Sequence, residues 1–416
     1  MNKKVAIYIL FFTLLQLLIL AVFGYTPYPD SNGYIDLAID ALSNGELYPV
    51  ASKISEYEFL WNQGAINMVA LSLLITGSVT PLLIVYALMK GATAWFTYDI
   101  TKKICGGRTA MITLTLYLLY PANYGECTSV HSELPFMFFA MCAVWLSVCK
   151  NHHVAAGIML GMANWMRPMG LLFLVALLLY HWSGWRKSIR LIASYLLILI
   201  IIGGVNYQQK HLFMYQAQTG WYALAQYSWN YTPEDRRDTP DPDIVCHDTS
   251  LNGMEKDRVW RSMFFEWLQR HPAEYIQQIP KKLVDTYVSD NVSLCTYLPY
   301  KQSRIYLYDE VSLKTIAADF PKLNSVQLLT IVNLLYYYLL IFIALYGAFL
   351  VIRRYEWKVL AIPATVIIVG TCILIFAGHG ETRFHIPFMP FFIMLAALAF
   401  THVNNIKISS TPTYAQ

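Results

Sequence analysis

The chain has 416 residues, of which 56% are hydrophobic and only 13% are charged. Soluble globular proteins carry about 25% charged residues, so this chain has roughly half the usual share. Several uncharged apolar stretches reach about 18 residues, the length at which a helix spans a bilayer. The composition excludes a soluble enzyme, a disordered chain and a nucleic-acid-binding domain, and the net charge of +4 is too small to indicate a polyanionic partner. The composition indicates a polytopic membrane protein.

The first apolar stretch runs from Val5 to Phe23 and follows two lysines. A cleaved signal peptide is the alternative interpretation, but the stretch is long and no small-x-small cleavage site follows it. We therefore expect a first membrane span here. Further spans are predicted at 108–123, 132–149, 190–206, 326–351, 358–377 and 385–402.

Two apolar regions do not correspond to single spans. Residues 153–182 are too long for one crossing and are interrupted at Arg167-Pro168. Proline lacks the helix donor and disfavours helix in the preceding residue, so we predict two short spans that meet at an outer bend. Residues 64–100 contain apolar segments on both sides of Gly77–Pro81. For this region we expect one crossing, preceded by a juxtamembrane or re-entrant helix.

A single crossing within 64–100 places the basic loops on one side of the membrane, as the positive-inside rule requires. We predict an all-α fold of about ten transmembrane helices with both termini cytoplasmic. The predicted organisation comprises an N-terminal transmembrane module (1–206) with a first outer loop (24–63), an extracytoplasmic cap (207–325), a C-terminal transmembrane module (326–402) and a tail (403–416). The basic residues assigned to the cytoplasmic side are Lys3, Lys4, Lys102, Lys103, Arg108, Lys150, Arg186, Lys187, Arg190, Arg353, Arg354, Lys358 and Lys407.

Both outer segments contain helical patterns. Tyr34 to Leu42 predicts an interfacial helix in the first loop, with Asp36 and Asp40 on its solvent-exposed face. Met254–Gln278 predicts an amphipathic helix in the cap. The seven cysteines show neither a CxxC pair nor zinc-site spacing. Cys246 and Cys295 share the cap and could pair in an oxidising compartment, which the sequence leaves open.

Ionisable residues concentrate near the outer ends of the predicted spans. Ionisable groups at membrane depth are costly and usually face a cavity or a partner, although a single one is more often an interfacial residue. Several ionisable groups on one side of the membrane indicate a catalytic site. A carboxylate near two arginines could activate an acceptor hydroxyl while the arginines hold a phosphate leaving group. The group comprises Asp30, Glu126, His131, Glu133, Arg167, His379, Glu381, Arg383 and His385.

The spacing of Asp30, Tyr34, Ala38, Leu42, Gly45 and Tyr48 resembles the first outer loop of type C glycosyltransferases. These are the polytopic enzymes of the protein O-mannosyltransferase and aminoarabinose-transferase superfamily. Weak matches to the same superfamily follow in order along nearly the whole chain. They are Ser132–Pro135, Ala155–Pro168, Arg261 with His271–Tyr275, and Gly380–Pro390.

The resemblance implies roles for particular residues. Asp30 matches the catalytic base, and Glu133 matches an acidic residue that supports catalysis or a divalent ion. Arg383 is expected near the lipid phosphate or the donor sugar, and Arg167 matches a basic position before the proline. The family often has a second acid directly after the first aspartate, whereas this chain has Ser31, which weakens a metal-site assignment. Further candidates for donor binding are Tyr34, Lys90, His379 and His385, although Lys90 could instead be a snorkelling residue.

The sequence thus predicts an inverting glycosyltransferase that moves a sugar from a polyprenyl-phosphate donor to an acceptor at the outer face of a membrane. A bacterial inner membrane with a periplasmic site fits this chemistry. The acceptor, which could be a protein, lipid A or a surface glycan, stays open. A divalent metal ion, bound by Asp30 and Glu133, is a possible cofactor. The alternatives are a polysaccharide polymerase or ligase and a non-catalytic transporter of lipid-linked sugars, which would require inverted repeats.

Overall fold

A computed structural model describes residues 3–27, 29–51, 60–297, 325–354, 356–378 and 380–409. These ranges contain helices and connections but no strand, which confirms the predicted all-helical class. The helices are α1 (Lys3–Phe23), α2 (Pro29–Ser43), α3 (Gln63–Thr76), α4 (Thr80–Cys105), α5 (Gly107–Leu119), α6 (Glu133–Cys149), α7 (His153–Met166), α8 (Gly170–Tyr180), α9 (Trp185–Lys210), α10 (Thr219–Tyr231), α11 (Asp243–Cys246), α12 (Gly253–Arg270), α13 (Pro272–Tyr287), α14 (Ser325–Arg353), α15 (Trp357–Phe376) and α16 (Met389–Ser409).

Within the described ranges, five segments are long and apolar enough to cross a membrane. They are α1, α9, α14, α15 and the segment Thr382–Thr401, which includes most of α16. Helix α6 adds a sixth when it is joined to the preceding turns Pro121–Thr128, from which it bends by 113°. The chain is therefore an integral membrane protein by composition and helix length, and the count of about ten spans stays a prediction.

Two helix breaks occur at prolines. The predicted bend in 153–182 is present, because Arg167 leaves α7 with an extended backbone (φ −153°, ψ 140°) before Pro168. The single helix predicted at Met254–Gln278 was wrong, because α12 ends at Arg270 and α13 begins at Pro272. Proline is favoured in the first turn of a helix, where its missing N–H costs nothing, so Pro272 starts a new helix.

Helices α7 and α9 pack in very close contact. A Cβ added at Gly157 would lie 2.0 Å from Ser194 Oγ, and one added at Gly161 would lie 2.4 Å from the Cβ of Ile198. Small residues four positions apart allow helix backbones to approach closely in membranes, where dispersion contacts drive association. This packing fixes the end of α7, and with it the position of Arg167.

Ten of the thirteen predicted cytoplasmic basic residues lie in or beside four connections at one end of the helical bundle. The connections α4–α5, α6–α7, α8–α9 and α14–α15 meet there, and each carries lysine or arginine. Contacts between helix ends show the arrangement: Ser147 Oγ with His181 Nε2 at 2.9 Å, Trp145 Nε1 with Asp99 Oδ2 at 2.9 Å, and Lys358 Nζ at 5.4 Å from the ring centre of Tyr180.

The cap comprises helices α10 to α13 and has its own small core. Trp260, Phe264 and Trp267 of α12 are buried there with Leu224 of α10. Cys246 is also buried in this core as a free thiol, and the side chain of Cys295, with which the sequence could pair it, lies outside the described residues. A capping box of Asn252 and Glu255 begins α12.

Candidate active site

A cavity of about 500 Å³ lies at the end of the bundle opposite to the basic connections. It is bounded by α2, the α7–α8 bend, the start of α10 and the connection from α15 to α16. The polar residues that line it are Asp30, Tyr34, Asn62, Ser132, Arg167, Gln216, Thr219, Tyr222 and Arg383. The apolar residues that line it include Leu60, Trp61, Met169, Ile373, Leu374, Ala377 and Phe384.

Four of the predicted residues form one charged network at this cavity. Glu133 is ion-paired with Arg167, and its Oε1 lies 3.6 Å from Nε of Arg383. Arg383 also pairs with Asp30 and, at 3.1 Å, with Glu381. Buried charges require partners of opposite sign, and here two guanidinium groups bind three carboxylates. The structure therefore brings Asp30, Glu133, Arg167 and Arg383 together, as the resemblance implied.

Three hydrogen bonds join the segment around Asp30, at the start of α2, to the loop before Glu133. Thr26 N donates to the carbonyl oxygen of Thr128 at 2.9 Å, and Ser129 Oγ donates to that of Thr26 at 2.7 Å. Ser31 Oγ donates to the carbonyl oxygen of Val130 at 2.7 Å. Ser31 is fully buried, so this bond anchors the first turn of α2.

Tyr34 lies one helical turn after Asp30 and is 2% exposed. Its hydroxyl accepts a hydrogen bond from Asn62 Nδ2 at 2.9 Å, and its ring packs edge-on against Trp61 at 5.1 Å. Burial and the negative charge of Asp30 raise the pKa of Tyr34 to about 12. The phenol is therefore neutral and can act as a hydrogen-bond donor in the cavity.

Both arginines are positioned by neighbouring groups. The guanidinium carbon of Arg167 lies 4.6 Å from the ring centre of Phe384, within the range of a cation–π contact. The segment before Arg383 packs against the cap, because a Cβ at Gly380 would lie 2.3 Å from the carbonyl oxygen of Lys282. Helix α13 thus supports the connection that carries Arg383.

The environment of Asp30 raises the proton affinity of its carboxylate. Burial raises the pKa of Asp30 above its usual value, and the charges of Glu133 and Glu381 act in the same direction, whereas Arg383 opposes them. A carboxylate with a raised pKa is better matched to accept a proton near neutral pH. The position and electrostatics of Asp30 therefore suit a general base.

Two other predicted donor-binding residues lie away from the cavity. Lys90, 1% exposed, is ion-paired with Glu126 in the core rather than available to a lipid phosphate. His385 is fully buried, and its Nδ1 lies 2.7 Å from the carbonyl oxygen of Thr286. His379 lies outside the described residues. Asp36 is exposed, as expected for the outer face of α2.

A divalent ion does not fit the donor set that the sequence suggested. Asp30 and Glu133 are the proposed ligands, yet one oxygen atom of each is paired with a guanidinium group, of Arg383 and Arg167 respectively. A cation would face two positive charges at once. Among the described residues, no group of three or more histidine, cysteine, aspartate or glutamate side chains could hold a metal ion.

Several residues that line the cavity were not predicted from the sequence. Gln216 and Tyr222 come from the cap, where no local pattern distinguishes a cavity residue from any other polar or aromatic residue. Trp61 and Asn62 likewise had no sequence signal. Their proximity to Asp30 results from tertiary packing alone.

The site is thus a cavity lined by carboxylate and guanidinium groups at one end of an apolar helical bundle. Residues 66–206 match the family model of dolichyl-phosphate-mannose-protein mannosyltransferases. The fold is similar to the apo crystal structure of the oligosaccharyltransferase from Archaeoglobus fulgidus, with a TM-score of 0.51 and 12% identity over 99% of this chain and 52% of that chain. This chain therefore spans about half the length of that protein.

A comparison with curated proteins gave no match. The family match over residues 66–206 supports the resemblance to the type C glycosyltransferase superfamily, and the similarity to the solved structure concerns the fold. They support the class predicted from the sequence, a membrane glycosyltransferase.

Proposed function

We propose that this protein transfers a sugar from a polyprenyl-phosphate donor to an acceptor at the extracytoplasmic face of a membrane, with the cavity facing the periplasm of a bacterium. The observation that carries the proposal is the composition of the cavity. Asp30, Arg167 and Arg383 line it together with apolar residues such as Met169 and Leu374. A lipid-linked, phosphorylated sugar combines a charged phosphate, which the arginines would bind, with an apolar chain, which the apolar residues would contact.

The choice of a lipid-phosphate donor rests on charge and on location. Arginine binds phosphate through two parallel N–H donors, and Arg383 and Arg167 both present guanidinium groups to the cavity. The basic connections at the opposite end favour a cytoplasmic location for that end and an outer location for the cavity. A soluble nucleotide sugar would be on the wrong side of the membrane.

The proposed reaction is a single displacement at the anomeric carbon. The acceptor oxygen attacks this carbon as the bond from the carbon to the phosphate oxygen breaks, and the phosphate leaves with the bonding electrons as polyprenyl phosphate. Asp30 takes the proton of the acceptor hydroxyl. Arg383 and Arg167 stabilise the charge that develops on the phosphate, which is where oriented cationic donors contribute most.

This chemistry predicts inversion at the anomeric carbon. A retaining double displacement requires a free carboxylate nucleophile, whereas Glu133 is bound by Arg167 and contacts Arg383. Glu133 is better suited to hold the two guanidinium groups at the phosphate. Attack by the acceptor alone therefore leads to one inversion.

The test is a transfer assay with the purified full-length protein. We expect it to consume a labelled polyprenyl-phosphate sugar, to leave a nucleotide sugar unused, and to form a product of inverted anomeric configuration by NMR. A polymerase or ligase would instead require a diphosphate-linked glycan. Movement of the labelled lipid across vesicles without consumption would favour the transporter and overturn the proposal.

A further inference from the structure

A second cavity of about 290 Å³ lies beside the first. The segment 216–220 forms a wall between them, because Gln216, Ala217 and Gly220 line both cavities. The second cavity is also lined by Tyr215, Gln218, Trp221 and Asp257. A ligand bound in this second cavity would therefore have only this wall between it and the first cavity, which Asp30 lines.

The polar groups of the second cavity have unused hydrogen-bonding capacity. The side-chain oxygen of Gln218 is buried and has no hydrogen-bond partner within the described residues. Buried polar atoms are nearly always paired, so an unpaired acceptor at a cavity wall indicates a ligand or water that supplies the donor. Burial also raises the pKa of Asp257, which the charge of Arg261 opposes.

One aromatic group that lines this cavity, the indole ring of Trp221, is held in place by its neighbours. Trp221 packs against Phe265 at 5.5 Å between ring centres, and the guanidinium carbon of Arg261 lies 5.6 Å from the Trp221 ring centre. A fixed indole ring offers a flat apolar surface at low entropic cost. Together with the amide of Gln218 and the carboxylate of Asp257, it forms a site with one flat apolar surface and polar groups around it.

A sugar ring has the matching chemistry. Its C–H groups form an apolar face, and its hydroxyl groups around the edge donate to amide and carboxylate oxygens. A phosphate does not match, because Asp257 would repel it, and a lipid tail would leave Gln218 unpaired. A peptide would match the amide but would not require a flat ring beside a carboxylate.

We propose that the second cavity binds a neutral sugar residue of the acceptor, so that the acceptor is a carbohydrate rather than a protein side chain. This inference rests on the proposed function and specifies its acceptor. One end of the acceptor would lie at Trp221 and Asp257. The acceptor would extend from there across the 216–220 wall into the first cavity, where its free hydroxyl meets the donor sugar beside Asp30.

The test measures binding of mannotriose, chitotriose, maltotriose and a threonine-rich peptide to the full-length protein without donor, by saturation-transfer NMR and calorimetry. We expect at least one trisaccharide to bind and the peptide not to bind. Asp257→Asn and Trp221→Leu should each weaken that binding by tenfold or more. Asp248→Asn, at a cap carboxylate bonded to Ser250 outside the cavity, should leave it unchanged.

Donor hydrolysis in the absence of acceptor separates this inference from the proposed function. The control variant Asp248→Asn should hydrolyse the donor at the wild-type rate, and melting temperatures near that of the wild type should show that the two cavity variants are folded. Peptide binding without trisaccharide binding, or trisaccharide binding that both cavity variants retain, would overturn the acceptor site alone. Absence of donor consumption by the wild-type protein would instead count against the glycosyltransferase proposal.

Discussion

Asp30 and Arg383 are 353 residues apart in the sequence and form an ion pair at the wall of the cavity. The proposed base is therefore bound by the arginine that we expect to bind the donor phosphate. A phosphate that binds Arg383 competes with the carboxylate for the same N–H groups. Binding of the donor would then release Asp30 to meet the acceptor hydroxyl.

Replacement of Asp30 tests the role of the base. Asp30→Asn keeps the size of the side chain but cannot accept a proton, so the transfer rate should fall by about 10²–10⁴-fold. The measurement is single-turnover transfer from a labelled donor. Asp36→Asn is the matched control, since Asp36 lies on the exposed face of the same helix, and its rate should remain near that of the wild type. Equal losses in both variants would refute the assignment.

Arg383 should contribute to both donor binding and leaving-group stabilisation. Arg383→Ala should therefore raise the KM for the donor and lower kcat together, because it removes a bidentate donor to phosphate. Arg383→Lys should restore only part of the activity, since an ammonium group supplies charge without the fork geometry. Complete recovery with lysine would mean that Arg383 acts only as a simple cation.

The pH profile should reflect the environment of Asp30. Its carboxylate must be ionised to act as a base, and its pKa is raised, so activity should be lost on acidification at a pH above the ordinary aspartate value of about 3.9. The charge of Glu381 contributes to this increase, so Glu381→Gln should move the acidic limb of kcat/KM to lower pH. A limb that moves to higher pH in this variant would contradict the assignment.

The ion pair of Lys90 and Glu126 should matter for stability rather than for donor binding. Lys90→Met leaves the buried carboxylate of Glu126 without its partner, which typically costs about 3–5 kcal/mol. We expect a marked decrease in thermal stability with an unchanged KM for the donor. The double variant Lys90→Met/Glu126→Gln should recover stability, and a raised KM in this double variant would return Lys90 to the list of donor ligands.

Close packing of α7 on α9 gives a further prediction. Gly161→Ala should destabilise the protein by about 1–3 kcal/mol, because the added methyl group overlaps Ile198 and the helices must separate. Gly204→Ala is the control, since nothing lies within 4 Å of its added Cβ. It should leave the melting temperature unchanged or raise it slightly, as alanine has the higher helix propensity. Equal melting temperatures for both variants would argue against this packing.

The sequence identified the charged network because charge at a span end is rare and is visible without a structure. Asp30, Glu133, Arg167 and Arg383 all carried this signal. The sequence could not show which role Lys90 has, because a lysine that forms an ion pair in the core and a lysine that binds a phosphate have the same local sequence. The partner, Glu126, lies 36 residues away and only the fold brings the two together.

Other differences have different physical origins. Pro272 indicates a break between α12 and α13. The amphipathic pattern continues through this proline, however, and therefore favoured a single helix. The second cavity had no signal, because Gln218, Trp221 and Asp257 come from different helices and connections of the cap. Their hydrophobic and polar spacing is that of any amphipathic segment, so their proximity depends on how α10 packs against α12.

Ser31 has a consequence for how this chain could change. Its hydroxyl meets a backbone carbonyl oxygen of Val130 in a fully buried position. An aspartate here, as many members of the superfamily have, would direct a negative charge at that oxygen and offer no proton to it when ionised. The adjacent pair of acids and this link between two loops are therefore mutually exclusive. A lineage that gained the second carboxylate would first need a different contact to anchor its first outer loop to the protein.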